Sequence, residues 1–388
     1  MKKLTITIAL TLALSWQSFA QKSDSTMSRP GQVSFFYPLG TNGIDSPKYS
    51  NNVSFNVLYG INGGVHGVEI GGLVNTNLGD VTGGQFAGIA NINTKKTNGI
   101  ICAGIANVVK DTSNSVSFAG ITNLYGKSAV GIHFAGIANT VNGSLIGAQF
   151  GGIVNTTNGD VVGAQFAGIS NTVNGSFKGM QAAGISNVVT GDVVGAQMGL
   201  INHGKKIKGF QLGLINVADE FEKGVPFGLI SFVKNGYHAI EVAGGEAIYA
   251  NLNYKMGVDQ LYTIYKVGYT ANGSENYFTY GLGFGSMLDI TKKVKISLDL
   301  SANHILQQSF SPRLNILSRA DAAFRYQLND HIGFFAGPSF NVYVSEFNLD
   351  SENTALKVPY TMYEENWWNN EGSTSIWLGG NAGVSIRF

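Results

Sequence analysis

The phrase QFAGIAN (Gln85–Asn91) returns along the chain with small changes: ICAGIAN at 101–107, SFAGITN at 117–123, HFAGIAN at 133–139, QFGGIVN at 149–155, QFAGISN at 165–171 and QAAGISN at 181–187. Laid in register, these phrases resolve into columns. The Asn column runs through Asn75, Asn91, Asn107, Asn123, Asn139, Asn155, Asn171 and Asn187 in steps of sixteen residues, then contracts to Asn202 and Asn216, with Ser231 in the last unit. Three residues before each Asn stands Gly, from Gly72 to Gly228. Two before stands Leu or Ile, from Leu73 to Leu229. A fixed period is read before anything else, because it decides the architecture.

A sixteen-residue unit is too short for a helical repeat and long enough for two short strands and two turns. The reading favoured is a β-solenoid of about eleven units of 14–16 residues, with one unit per coil. Equivalent residues would then stack at roughly 4.8 Å. The Leu/Ile column is expected to line a continuous core. Gly is expected at corners and close approaches. The Asn column is expected to form a ladder of side-chain amides. The alternative is a meander of antiparallel hairpins, in which equivalent Asn residues lie two strands apart and cannot join. The half-units are too short to be membrane-spanning strands, which need about nine to eleven residues.

The Phe column (Phe86, Phe118, Phe134, Phe150, Phe166) lies three residues before the Leu/Ile column. In a plain strand an odd offset puts the two on opposite faces. Either the Gly between them carries a bulge and both layers are buried, which is the reading adopted, or one column faces out. An outward Phe stripe would pack on another sheet, a partner or a membrane.

Composition narrows the class. The chain has 388 residues, a formal net charge of +1 and only 13% charged residues, so no basic stripe suggests nucleic acid as a partner. Gly is abundant and Pro scarce, without a Gly-X-Y period, which excludes collagen. Residues 1–20 read as a secretory signal: Lys2 and Lys3, an apolar run from Leu4 to Leu14, then Ser18-Phe19-Ala20 before the expected cut. An uncleaved anchor is the alternative; the apolar run is short for one. Cys102 is the only cysteine, so no internal disulfide forms. It occupies a slot of the Phe column and reads as a small buried apolar side chain.

Nothing in the repeat spells out chemistry. The turn position five after the Asn holds Asp80, Asp160 and Asp192, but also Lys96, Thr112, Ser128, Ser144 and Ser176. Calcium-binding nonapeptides carry an acid in every turn, so these turns do not read as calcium sites. The six His form no pair at metal-ligand spacing, and His133 fills a column held elsewhere by Gln85, Gln149, Gln165 and Gln181. No hydrolase, zinc-protease or P-loop pattern occurs. No catalytic residue, metal or cofactor is expected, and an enzyme is the class least supported.

After Ser231 the texture changes. Val294 to Ser301 alternates strictly between apolar and polar residues, and comparable runs start near Tyr237, Ala247, Gln260, Tyr277, Leu314, His331 and Ile376. About eight strands are expected, several long enough to span a membrane, with Lys295 and Asp299 facing a lumen or water. The chain ends NAGVSIRF, with Ala382, Val384, Ile386 and Phe388 on one face, which resembles the C-terminal signal of bacterial outer-membrane barrels. A long connection, roughly Asn348 to Ser373, mixes carboxylates with Tyr360, Tyr363, Trp367 and Trp368. These aromatics are read as a cap on the barrel or solenoid, or alternatively as a loop that binds a sugar or protein.

The runs GFQLGLINVA (209–218), GVPFGLIS (224–231) and NGYH (235–238) resemble a family of bacterial surface-repeat proteins built from GxQxGLxNxA units before a β-rich C-terminal part. The likeness covers roughly residues 53–245, although the first eight units here are longer by one or two residues. It implies an exported, envelope-associated protein and defines no functional residue to carry over. The organisation expected is therefore a signal at 1–20, N-terminal strands capping the repeats at 21–60, a solenoid at 61–236 and an antiparallel barrel-like domain at 237–388 in the outer membrane. The function expected is a non-enzymatic envelope or surface protein, structural or adhesive. The alternatives are a small outer-membrane channel or transporter with the repeats as plug or lid, and a surface glycan-binding module. Outer-membrane lipid is the expected partner, with a surface glycan or protein as a further one.

Overall fold

The computed structural model describes residues 27–272, 275–307, 314–346, Leu356, 360–367 and 372–388; the expected signal segment and Trp368 lie outside them. The protein is all-β: a Gly-rich repeat β-solenoid followed by a closed antiparallel barrel. Two compact units divide the chain, Met1–Gly143 and Ser144–Phe388.

The first unit contains solenoid coils. Each repeat supplies a seven-residue strand and a four-residue strand, as in Val81–Ala87 with Ala90–Asn93, or Thr97–Ala103 with Ala106–Val109. Successive coils pair parallel and in register, Val81 opposite Thr97 and Asn91 opposite Asn107. Parallel pairing at the repeat spacing rules out the hairpin meander. At the N-terminal end Met27–Phe36 pairs parallel with Tyr49–Asn62, and the two residues Leu39–Gly40 fold back antiparallel on the first strand.

The second unit begins with coils of the same kind, Leu145–Gly151 with Val154–Thr157 and onward. Where the repeat contracts to fourteen or fifteen residues, the polar turn disappears into longer strands, Ile201–Leu212 and Ile215–Phe227. One Gly column is forced by geometry. Gly179 has φ +139°, and a Cβ there would lie 1.8 Å from the carbonyl oxygen of Gly163 in the coil below.

Eight strands then close a barrel: Tyr237–Gly245, Ala250–Val258, Leu261–Asn272, Glu275–Asp289, Val294–Gln307, Asn315–Gln327, Ile332–Ser345 and Gly372–Arg387. Closure comes from the first and last, which pair antiparallel with Ile240 opposite Ile386. A closed sheet has no free edge, so no backbone donor or acceptor row is left unpaired.

Two expectations about the repeat are corrected. The Leu/Ile column does not line the core: Ile89, Ile105, Ile169 and Ile185 are all exposed, as is Leu200. Nor is the Phe column buried, since Phe86 and Phe118 are exposed and Phe150 and Phe166 are half-buried. The reason is the corner. In Val161–Ala167 the inward positions are Val161 and Gln165, so Phe166 faces out. Gly168 and Ile169 form a two-residue bend, which keeps Ile169 outside and turns Asn171 inward. The apolar part of the coil interior comes from other columns. These are the start of the long strand, such as Val161, Phe177 and Val193, and the end of the short one, such as Val173 and Val189.

Candidate functional surfaces

The inner wall of the coils next to the Gly-Ile corner is built from amides. Asn75 donates through Nδ2 to Oδ1 of Asn91 (3.0 Å), and the same bond joins Asn91 to Asn107, Asn107 to Asn123 and Asn123 to Asn139 at 2.9 Å each. In the second unit the ladder runs Asn155, Asn171, Asn187, Asn202 and Asn216 at 2.9–3.0 Å. Along the column an Asn spends its other N–H on a backbone carbonyl at the corner, as Asn91 does on Cys102 O (2.8 Å) and Asn171 on Ala182 O (2.9 Å). The column therefore needs Asn itself: one acceptor and two donors on a short stem. Aspartate would bring stacked like charges and leave those donations unmade.

A second ladder, which the sequence displayed without a role, runs beside it. Gln165 donates to Gln149 (2.7 Å), Gln181 to Gln165 (2.8 Å), Gln197 to Gln181 (2.9 Å) and Gln211 to Gln197 (2.7 Å), all fully buried. In the first unit this column is irregular: Glu69, Gln85, Ile101, Ser117 and His133. Burial pushes the Glu69 carboxyl up to about 7, against the pull of donated bonds from Asn77, Gln85, Asn56 and Asn62. His133 lies against the Tyr125 hydroxyl at 2.8 Å, and burial pushes its imidazole down to about 4. Cys102 is half-buried on the outer wall, rather than a core side chain as its slot suggested, and burial raises its thiol pKa.

The barrel is polar inside and apolar outside. Lys255 reaches both Glu241 (3.0 Å) and Asp299 (2.6 Å), and Arg325 pairs with Glu241 and donates to Ser297 (2.8 Å). Arg319 and Lys266 lie 3.1 and 3.9 Å from Asp321. Asp299 thus faces the lumen as expected, and these ions bridge it side to side. The wall carries Val242, Leu252, Val267, Phe278, Leu300 and Phe324, each about half exposed or more. The charged pairs are thus satisfied within the lumen, under an apolar exterior.

The two ends of the barrel differ. At the end that carries Tyr237 and Phe388, the turns are short: Val258–Leu261, Asp289–Val294 and Gln327–Ile332. At the other end the last two barrel strands are joined by the long connection between Ser345 and Gly372. Leu356 helps to cap that end; of the aromatics singled out in the sequence, Trp367 is half-buried and Trp368 lies outside the described residues. Leu356 is buried with Tyr277, Tyr343 and Trp377, whereas Tyr360 and Tyr363 are exposed. Tyr363–Trp367 instead forms a short strand on Gly372–Arg387, with the Tyr363 hydroxyl donating to Glu365 and that of Tyr360 to Leu378 O.

Among the described residues no helix is long and apolar enough to cross a membrane, and no group of three or more His, Cys, Asp or Glu side chains gathers as metal ligands. No family model, curated protein or solved structure matches the chain.

Proposed function

We propose that this is an envelope protein whose C-terminal barrel sits in a bacterial outer membrane and anchors the Gly-rich solenoid there, in a structural role. The observation that carries the reading is the inverted barrel: ionic inside, apolar outside, and closed. In water, such a wall would expose an apolar surface far larger than soluble proteins tolerate. The strands fit as well, with nine to sixteen residues each against the roughly nine to eleven needed to span. The expected export signal and the apolar alternation that ends in Phe388 agree with this placement.

The end asymmetry supplies orientation. Outer-membrane barrels keep short turns on the periplasmic side and long loops outside. The coils of residues 144–233 lead into the barrel at Tyr237, on the short-turn side, so these coils belong to the periplasmic face. The loop with Tyr360, Tyr363 and Trp367 then faces outward, where a sugar or protein would meet it. A lumen bridged by Glu241, Lys255, Asp299 and Arg325 favours an anchor over an open channel.

The test is fractionation of the full chain made in a Gram-negative host. The expected result is recovery in outer membranes after alkaline carbonate washing, with faster gel mobility before boiling than after. Recovery as a soluble periplasmic protein with heat-independent mobility would overturn the reading.

A further inference from the structure

In the coils of the second unit, polar and apolar residues are sorted to opposite edges. One edge holds the polar turns with Asp160, Ser176 and Asp192, and beyond them Lys206, Glu220 and Glu222. The other is the Gly-Ile corner. There Ile153, Ile169, Ile185, Leu200, Leu214 and Leu229 stand one per coil, between 41% and 53% exposed. The flanking columns carry no charge on any of these coils. With coils at roughly 4.8 Å spacing, the stripe is on the order of 25 Å long.

This stripe does not end in water. At its C-terminal end it runs onto the outer wall of the barrel. Phe227 stacks on Phe284, with ring centroids 5.0 Å apart. The corner carbonyls of Gly228 and Leu229 accept from Thr263 (2.9 Å) and Tyr265 (2.6 Å). Between the two lies an open apolar groove of about 540 Å³, lined by Met198, Leu200, Leu214, Phe227, Leu229 and Phe284. Phe284 is opposite Leu300 on the next strand, which is 64% exposed on the wall. The solenoid edge and the barrel wall are therefore one apolar surface, and whatever covers the wall reaches the edge.

We infer that the Leu/Ile edge of the coils in residues 144–233 beds into the leaflet of the membrane that the barrel spans, at the headgroup–acyl boundary. The inference rests on the anchor reading above. The occupant is lipid because the surface is continuous with a wall that lipid covers. It is also long, shallow and without charge or directed donors, as an interfacial contact is and a specific protein site is not. The polar edge then points away from the membrane. This gives the exposed Ile column a purpose that a water-soluble solenoid would not have.

The experiment uses the full chain in nanodiscs, with Cys102→Ser to remove the native thiol. A polarity-sensitive fluorophore is placed by Leu200→Cys on the edge, Asp192→Cys on the polar turn, or Leu300→Cys on the wall. Lipids carrying a nitroxide near the top of the acyl chain serve as quencher. The expected result is strong quenching at Leu300 and, at Leu200, quenching greater than at Asp192 by about twofold or more, with blue-shifted emission. Quenching at Leu300 with Leu200 no different from Asp192 overturns the inference and leaves the anchor intact. A blue-shifted but unquenched label at Leu200 means that protein, such as a second copy, covers the edge, and also overturns it. No quenching at Leu300 overturns the anchor and this inference together. Circular dichroism of each labelled variant verifies that the β-structure is retained.

Discussion

The solenoid and the barrel both bury polar groups, the solenoid beside apolar columns such as Val161 and Val173, but they satisfy those polar groups in different ways. The solenoid uses neutral amides in uniform columns, Asn on Asn and Gln on Gln. The barrel uses ions of both signs, Lys255 between Glu241 and Asp299 and Arg325 on Glu241. Strand pairing explains the choice. Parallel, in-register coils bring each residue against its own counterpart, so any repeated charge would face itself; an amide, both donor and acceptor, complements itself. Across a barrel lumen the neighbours differ in sequence, and opposite charges can meet. The one acid buried in the coils, Glu69, occurs once in its column and collects four donors.

The largest effect is expected in the barrel. Lys255→Met leaves Glu241 and Asp299 buried without the cation that bridges them, and should cost about 3–5 kcal/mol. Denaturant unfolding in detergent micelles, compared with the parent protein, checks it. A loss below about 1 kcal/mol would mean that the lumen ions are solvated rather than structural.

Glu69 gives the next effect, and its sign is fixed by linkage. Its carboxyl titrates near 7 when folded and near 4.5 when unfolded. Between these values the unfolded chain has lost a proton that the folded chain keeps, so stability falls as pH rises from 4.5 to 7 and is level above that. The difference corresponds to about 3 kcal/mol. Glu69→Gln should abolish this slope, since an amide does not titrate, and Asn77 Oδ1, which has no donor at present, can accept from the new NH₂. Unfolding midpoints of both proteins across that window test the point.

The smallest effect tests the outer wall. Phe166→Ala would cost about 3–5 kcal/mol in a core. On a half-buried stripe, where Phe166 mainly stacks on Phe150 at 5.2 Å, the expected loss in detergent is about 1 kcal/mol. A core-sized loss would restore the buried Phe layer that the sequence first suggested.

What was legible in the sequence followed from repetition. Asn75 to Asn216 recur in one column, and self-complementary stacking is the simplest reason for such regularity. Ile169 is apolar without being buried, because the Gly168-Ile169 bend resets the alternation, and a bend of that kind leaves no mark in a period of two. The Gln column was visible but carried no role, because period alone does not say which columns face each other. Of the lumen ions, the alternation of Val294–Ser301 marks Asp299 as inward, but not its partners. Glu241 meets Arg325 across 84 residues, through a register that only barrel closure defines. The cap likewise fell to Leu356, an unremarkable residue, rather than to Tyr360 and Tyr363.

The central claim is that the coils are held by buried amide ladders. It is tested most directly by side-chain hydrogen exchange in protein labelled with ¹⁵N at asparagine and glutamine and moved into D₂O. The expected result is a set of side-chain NH₂ signals, from columns such as Asn155–Asn216 and Gln165–Gln211, that persist long after exposed amides such as Asn174 have exchanged. Loss of every side-chain amide signal at the rate of exposed groups would contradict it.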